Sequence, residues 1–83
     1  MKPEYGRVVV GNLLIDQYGN ILKVTKRFWD GGAKRVHYYV EVIYKYVDVF
    51  GFVTSDDFKR GRVRKATKRD IELSDILYAR DVD

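Results

Sequence analysis

Between Lys34 and Thr54 the chain alternates in a way that suits little except a strand. Val36, Tyr38, Val40, Val42, Tyr44 and Tyr46 fall on one face of an extended segment. His37, Tyr39, Glu41, Ile43 and Lys45 fall on the other. Side chains change sides at every residue of a strand, so this spacing builds one continuous apolar face. β-branched and aromatic residues fill nearly every position, as a pleated, half-buried surface favours. No cofactor motif or catalytic constellation sits on it. A strand from Lys34 to Lys45 or beyond exceeds the usual five or six residues, so it should bend or kink. Tyr46-Val47-Asp48 is the expected turning point.

The other elements are arranged around this strand. Arg7-Val8-Val9-Val10 reads as a short first strand. Gly11-Asn12 then permits a sharp change of direction, because both residues tolerate positive φ. Leu13-Leu14-Ile15 resumes the strand. Asp16 to Asn20 is a turn, with Gly19-Asn20 in the left-handed positions. Ile21 to Trp29 is the next strand, with Leu22, Val24 and Phe28 on one face and Lys23, Thr25, Arg27 and Trp29 on the other. Lys26 interrupts the apolar face, so a bulge or a solvent-reaching stem is expected there.

Asp30-Gly31-Gly32-Ala33 is the loop into the long strand. Val49 to Thr54 is a fourth strand, bent at Gly51, and Ser55-Asp56-Asp57 ends it in a polar turn. Arg62 to Ala66 is a fifth. Thr67-Lys68-Arg69-Asp70 has the form of a helix cap, with a hydroxyl and a carboxylate placed to satisfy each other's backbone N–H. The helix it opens stops near Leu73 or continues to Tyr78, and Arg80 to Asp83 should fray.

With 83 residues the whole chain, 1–83, is one small domain. It has no cysteine, so it has neither disulfides nor thiolate metal ligands. Its one histidine, His37, reads as a polar residue on the outer face of the long strand. No apolar run approaches the ~20 residues of a membrane span. Met1 to Gly6 lacks the apolar core of a signal peptide. A cytoplasmic protein is therefore expected, in the host-cell cytoplasm if it is viral. Met1, Asn12, Gln17 and Asn20 are the only Asn, Gln or Met residues, beside many Lys, Arg, Val and Tyr, as in hyperthermophile proteins.

The formal net charge is +4, but its distribution says more. Lys59, Arg60, Arg62, Arg64, Lys65, Lys68 and Arg69 fall in one short window without an acid. Asp70, Glu72, Asp75, Asp81 and Asp83 follow. On a strand Arg62 and Arg64 share a face and stand ~6.6–6.8 Å apart, a spacing suited to successive phosphates. Lys23, Arg27, Lys34 and Arg35 form a second basic edge. Tyr39, Phe50, Phe52 and Trp29 would stack on bases if they face outward. The ordinary role of such rings is core or dimer contact, and that of a lone Trp is a cap on the core edge. A basic band is equally a solvated edge neutralised by the acidic tail.

Five short strands followed by a brief helix predict an all-β fold, a small closed or partly open barrel. The run Val10 to Asn20, followed by Leu22 and Val24, resembles the opening of Src-homology-3-like small barrels. Arg64-Lys65-Ala66-Thr67-Lys68-Arg69-Asp70-Ile71 looks like the closing strand and capped turn of short barrel proteins from bacteriophages and archaeal viruses. The resemblance implies a five-stranded barrel with a short C-terminal helical segment. Barrels of this kind bind nucleic acid in some families and peptides in others, so fold alone does not choose. The loop Asp30 to Lys34 is short and not strongly acidic, which counts against a proline-peptide groove.

The expected function is thus a non-enzymatic module, without cofactor, metal or small-molecule substrate, that contacts DNA or RNA through the phosphates. The alternative is a homodimer built on Tyr-rich strands. Asp56-Asp57 with Lys59, and Glu41 with Lys45, resemble the acid-and-lysine sets of metal-dependent nucleases. Nothing in their spacing makes the carboxylates converge, and Asp is an ordinary turn residue.

Overall fold

A computed structural model describes residues 8–82, with side chains described as far as Leu77. The elements are β1 (Leu13–Asp16), β2 (Ile21–Asp30), β3 (Arg35–Tyr44), β4 (Phe52–Thr54), α1 (Ser55–Lys59), β5 (Val63–Lys65) and α2 (Lys68–Val82). The strands form one antiparallel sheet in the order β4-β3-β2-β1-β5. The mainly-β expectation holds. The sheet does not close, because β4 and β5 remain unpaired edges. Both edge strands have only three residues, which limits the backbone they leave unpaired.

Alternation along β3 places its apolar face on the core as expected. Tyr38 is buried, and Val36, Val40 and Val42 pack against a cluster of Val8, Leu14, Leu22, Val24, Tyr38, Val53, Phe58 and Val63. Fully burying a side chain of this size contributes about 1.5–3 kcal/mol. The long β2–β3 ladder is irregular in two places, between Ile21 and Leu22 and between Val24 and Lys26. The second irregularity is the expected bulge, with Thr25 as the extra residue. Ahead of it Leu22 and Val24 oppose Val42 and Val40 on the core side. Beyond it Lys26 and Phe28 oppose Tyr39 and His37 on the outer side. Phe28 therefore leaves the face of Val24, contrary to plain alternation.

Four local expectations change. Val8 to Val10 form no strand, and Arg7 lies outside the described residues. Val8 is nevertheless buried, and the chain turns at Gly11, whose φ is +95°. The Asn12 side chain fixes that turn by accepting the Val9 N–H at 2.9 Å. Val49 to Gly51 lie outside β4, although the Val40 N–H still donates to the Gly51 carbonyl. Ser55-Asp56-Asp57 open a helix rather than a turn. There the Asp57 carboxylate accepts the Thr54 N–H at 2.8 Å, as a capping box requires. The Phe58 ring of α1 meets Tyr38 edge-on and covers the core. Finally, α2 runs on to Val82, past both of its expected ends.

Asn20 is fully buried at the hinge between these parts. Gly19 takes the positive φ of its turn, +88°, and Asn20 does not. The Asn20 Oδ1 instead accepts the N–H groups of Tyr46 and Val47, at 2.5 and 3.1 Å. Its Nδ2 donates to Asp16 at 2.9 Å. This one amide anchors the segment after β3 to the β1–β2 turn. Asn20→Ala leaves those two N–H groups without an acceptor. We expect it to cost about 1–3 kcal/mol in urea unfolding, whereas a loss under 0.5 kcal/mol would assign the anchor elsewhere.

Candidate nucleic-acid interface

Gly61, with φ +71°, turns the chain out of α1, and the Arg62 carbonyl accepts the Gln17 N–H at 2.9 Å. Arg62 stands one residue before β5, so strand alternation does not reach it. Its guanidinium lies 3.6 Å from Asp57. Arg64, opposite Ile15 in the ladder, forks onto Asp70 at 2.7 and 3.2 Å. The two guanidinium groups thus serve different carboxylates. They do not stand side by side on one strand face as the spacing suggested.

The other cations of the band are placed differently. Lys59 and Arg60 end α1, Lys65 ends β5, and Lys68 and Arg69 occupy the first turn of α2. All five are exposed. Among the described residues, none of them has a carboxylate within 4.0 Å. They span eleven consecutive positions, 59–69, around the β5 edge.

The second basic edge divides. Lys34 is exposed in the β2–β3 turn at φ +55°. Arg35 pairs with Asp56 at 3.2 Å. Lys23 stands opposite Glu41 on the outer face, while Arg27 stands opposite Tyr38. Trp29 is 63% exposed and belongs to no core cluster. Its Nε1 lies 3.7 Å from where a Cβ would stand on Gly31, over the β2–β3 turn.

The outer face of β2, β3 and β4 carries a run of rings beside its charges. Phe28 lies 5.2 Å from His37 and 5.5 Å from Tyr39, centroid to centroid. His37 lies 5.7 Å from Phe52, and Phe52 lies 6.1 Å from Phe50. The Lys26 ammonium stands 5.9 Å from the Phe28 centroid and 6.0 Å from that of Tyr39. Tyr39, Phe50 and Phe52 do face outward. His37 faces outward with them, as alternation along β3 expects. Phe28 and Lys26 join them, and residue alternation alone did not place those two there. The signal for them was the lysine that interrupts the apolar face of β2. These rings lie on the β4 half of the sheet, and the basic band lies on the β5 edge.

Between the two open edges runs a groove of about 600 Å³, floored by Leu22, Val53 and Val63. Asp16, Asp48 and Asp57 line it together with Arg35 and Arg62, so its charge is nearly balanced. Asp56 binds Arg35, and Asp57 caps α1 and binds Arg62. No group of three His, Asp or Glu side chains among the described residues is placed to hold a metal ion. No helix among them is long and apolar enough to cross a membrane. No protein-family model, curated protein or solved structure matches the chain.

The cap that fixes the band's far end has the form expected from sequence. The Asp70 carboxylate accepts the Thr67 N–H at 2.8 Å and the Thr67 hydroxyl at 2.9 Å. The Asp70 N–H donates back to the Thr67 hydroxyl oxygen at 3.1 Å. The Arg64 guanidinium and then the Thr67 N–H hold the Asp70 carboxyl far below the usual carboxylate range. The hydrogen bond to Asp70 likewise raises Arg64. A depressed folded-state pKa stabilises the fold above the unfolded value, about 3.9, and that stabilisation is lost as pH falls below it. Asp70→Asn should therefore lower the melting temperature at pH 7, with the gap to the parent narrowing below about pH 4. Thr67→Ala should cost about 1 kcal/mol at pH 7. A gap for Asp70→Asn that stays constant with pH would rule out the charge as its origin.

Proposed function

We propose that the protein is a non-enzymatic module that binds nucleic acid through its phosphate backbone with low sequence specificity. The observation that carries this reading is the set Lys59, Arg60, Lys65, Lys68 and Arg69, exposed and without a carboxylate partner among the described residues. Arg62 and Arg64 are engaged with Asp57 and Asp70, which fixes α1 and α2 around that edge. Lysine is a compact point charge on a flexible stem and suits phosphate contact without fork geometry. Contacts of this kind position a protein on its target and carry no sequence information. The strand order, with a short helix between β4 and β5, supports reading the domain as an open Src-homology-3-like barrel. The resemblance suggests an accessory protein of a virus or an archaeon as its setting.

A second reading, self-association, draws on α2. Leu73, Ile76 and Leu77 are exposed there, and Leu73 and Leu77 line a cleft of about 280 Å³ with Tyr18 and Tyr46. The tyrosines of β3 support it less, since Tyr38 is buried and the Tyr44 hydroxyl donates to Asp75. Light scattering tests it directly: a dimer that Ile76→Ser dissociates would select this reading.

The leading reading is tested by the salt dependence of binding to a short labelled duplex, followed by fluorescence anisotropy. Five phosphate contacts give a slope of log K against log salt of about −4.5 between roughly 50 and 200 mM salt. Replacing Lys65, Lys68 and Arg69 together by Ala should flatten that slope by about 2.7. An affinity indifferent to salt would remove the reading.

A further inference from the structure

We infer that the outer face of β2, β3 and β4 is a base-stacking platform, so that the bound nucleic acid is a single strand. The inference rests on the nucleic-acid reading and adds the form of the target. Five rings form a continuous run across three strands, Tyr39 and Phe28 joining through His37 to Phe52 and Phe50. Phe50, at the end of that run, is 81% exposed. Tyr39 and Phe52 are each more than two-fifths exposed. Large apolar rings exposed on neighbouring strands mark a surface that something apolar covers.

The charges on this face say what covers it. The Lys26 ammonium hangs over the Phe28 and Tyr39 rings, with no carboxylate within 4.0 Å among the described residues. The acids beside the rings are already placed against other groups, among them Asp48, two residues before Phe50, which pairs with Lys45 at 3.0 Å. Asp30 accepts the N–H groups of Gly32 and Ala33 and lies 3.5 Å from His37. Glu41 stands across the ladder from Lys23. The matching ligand is therefore flat, apolar on its faces and anionic at its edge, which describes a nucleobase with its phosphate. A duplex keeps its base faces stacked inside and would meet these rings with sugar and phosphate only. An unpaired strand offers every base face, and such stacking is tolerant of sequence. A second copy of the chain is a poorer fit, because self-pairing would desolvate Lys26 on both sides.

The experiment compares three labelled probes by fluorescence anisotropy at fixed salt: an oligothymidine of about ten nucleotides, an abasic strand of the same length, and a duplex. The oligothymidine should bind at least about tenfold more tightly than the abasic strand. Phe50→Ala, Phe52→Ala and Tyr39→Ala should each weaken oligothymidine roughly five- to a hundredfold while leaving the abasic strand and duplex unchanged. Tyr39→Phe keeps the ring and should retain the preference. Phe50 is so exposed that its removal tests the platform without testing the core. Equal affinity for oligothymidine and the abasic strand would overturn the platform and leave backbone binding intact. Failure of all three probes to bind would remove both readings. A dimer that Phe50→Ala dissociates would overturn the platform in favour of a second copy.

Discussion

One unpaired residue, Thr25, decides what the sheet presents to solvent. A strand of strict alternation would have kept Phe28 on the side of Leu22 and Val24. The bulge shifts the phase of β2 by one residue against β3, so Phe28 meets His37 and Tyr39 on the outside. A bulge also increases the local twist and bends its strand. It sits between the Val24–Val40 pair, which packs on the core side, and the Lys26–Tyr39 pair, which faces outward. Without it the aromatic face would lose Phe28, the ring that joins Tyr39 to His37.

The charged residues divide into those that build and those that remain available. Three of the arginines are used where a planar fork or a long reach fixes an element. Arg64 grips Asp70 at the start of α2, Arg62 reaches Asp57 in α1, and Arg35 reaches Asp56. Exposed pairs of this kind contribute little individually, so their main effect is on placement. Each ties an element that follows an edge strand, or a residue beside one, back to the sheet. What remains around the β5 edge is three lysines and two arginines, on long stems that sample many positions. The edges stay apart with α1 between them, and the nearly neutral groove they leave is lined on the β4 side by Phe50 and Phe52 and on the β5 side by Arg62.

Much of this was legible in the residues. The alternation from Val36 to Tyr44 predicted which side of β3 is buried. Gly11 and Gly19 marked two of the turns that take positive φ. Thr67 and Asp70 announced their cap with both partners named. The same spacing at Thr54 and Asp57 is a weaker signal, because a helix of five residues shows no apolar period to confirm it. The valines at 8–10 read as a strand because β-branched residues favour one, yet only Val8 finds a place in the core. The length of α2 was not readable from Ile71, Leu73, Ile76 and Leu77, whose spacing is irregular.

The amino-acid order by itself determined an antiparallel β domain, its turns, its capped final helix and a dense basic window, because these follow from local sterics and side-chain period. Tertiary structure decided which cations are engaged, which way Phe28 faces and whether the edges meet. Each of those depends on partners far away in the chain: Asp57 and Asp70 for the arginines, the β3 register for the bulge, and the seating of α1 between two edges. Local periodicity carries no information about such pairings until the strands are laid side by side.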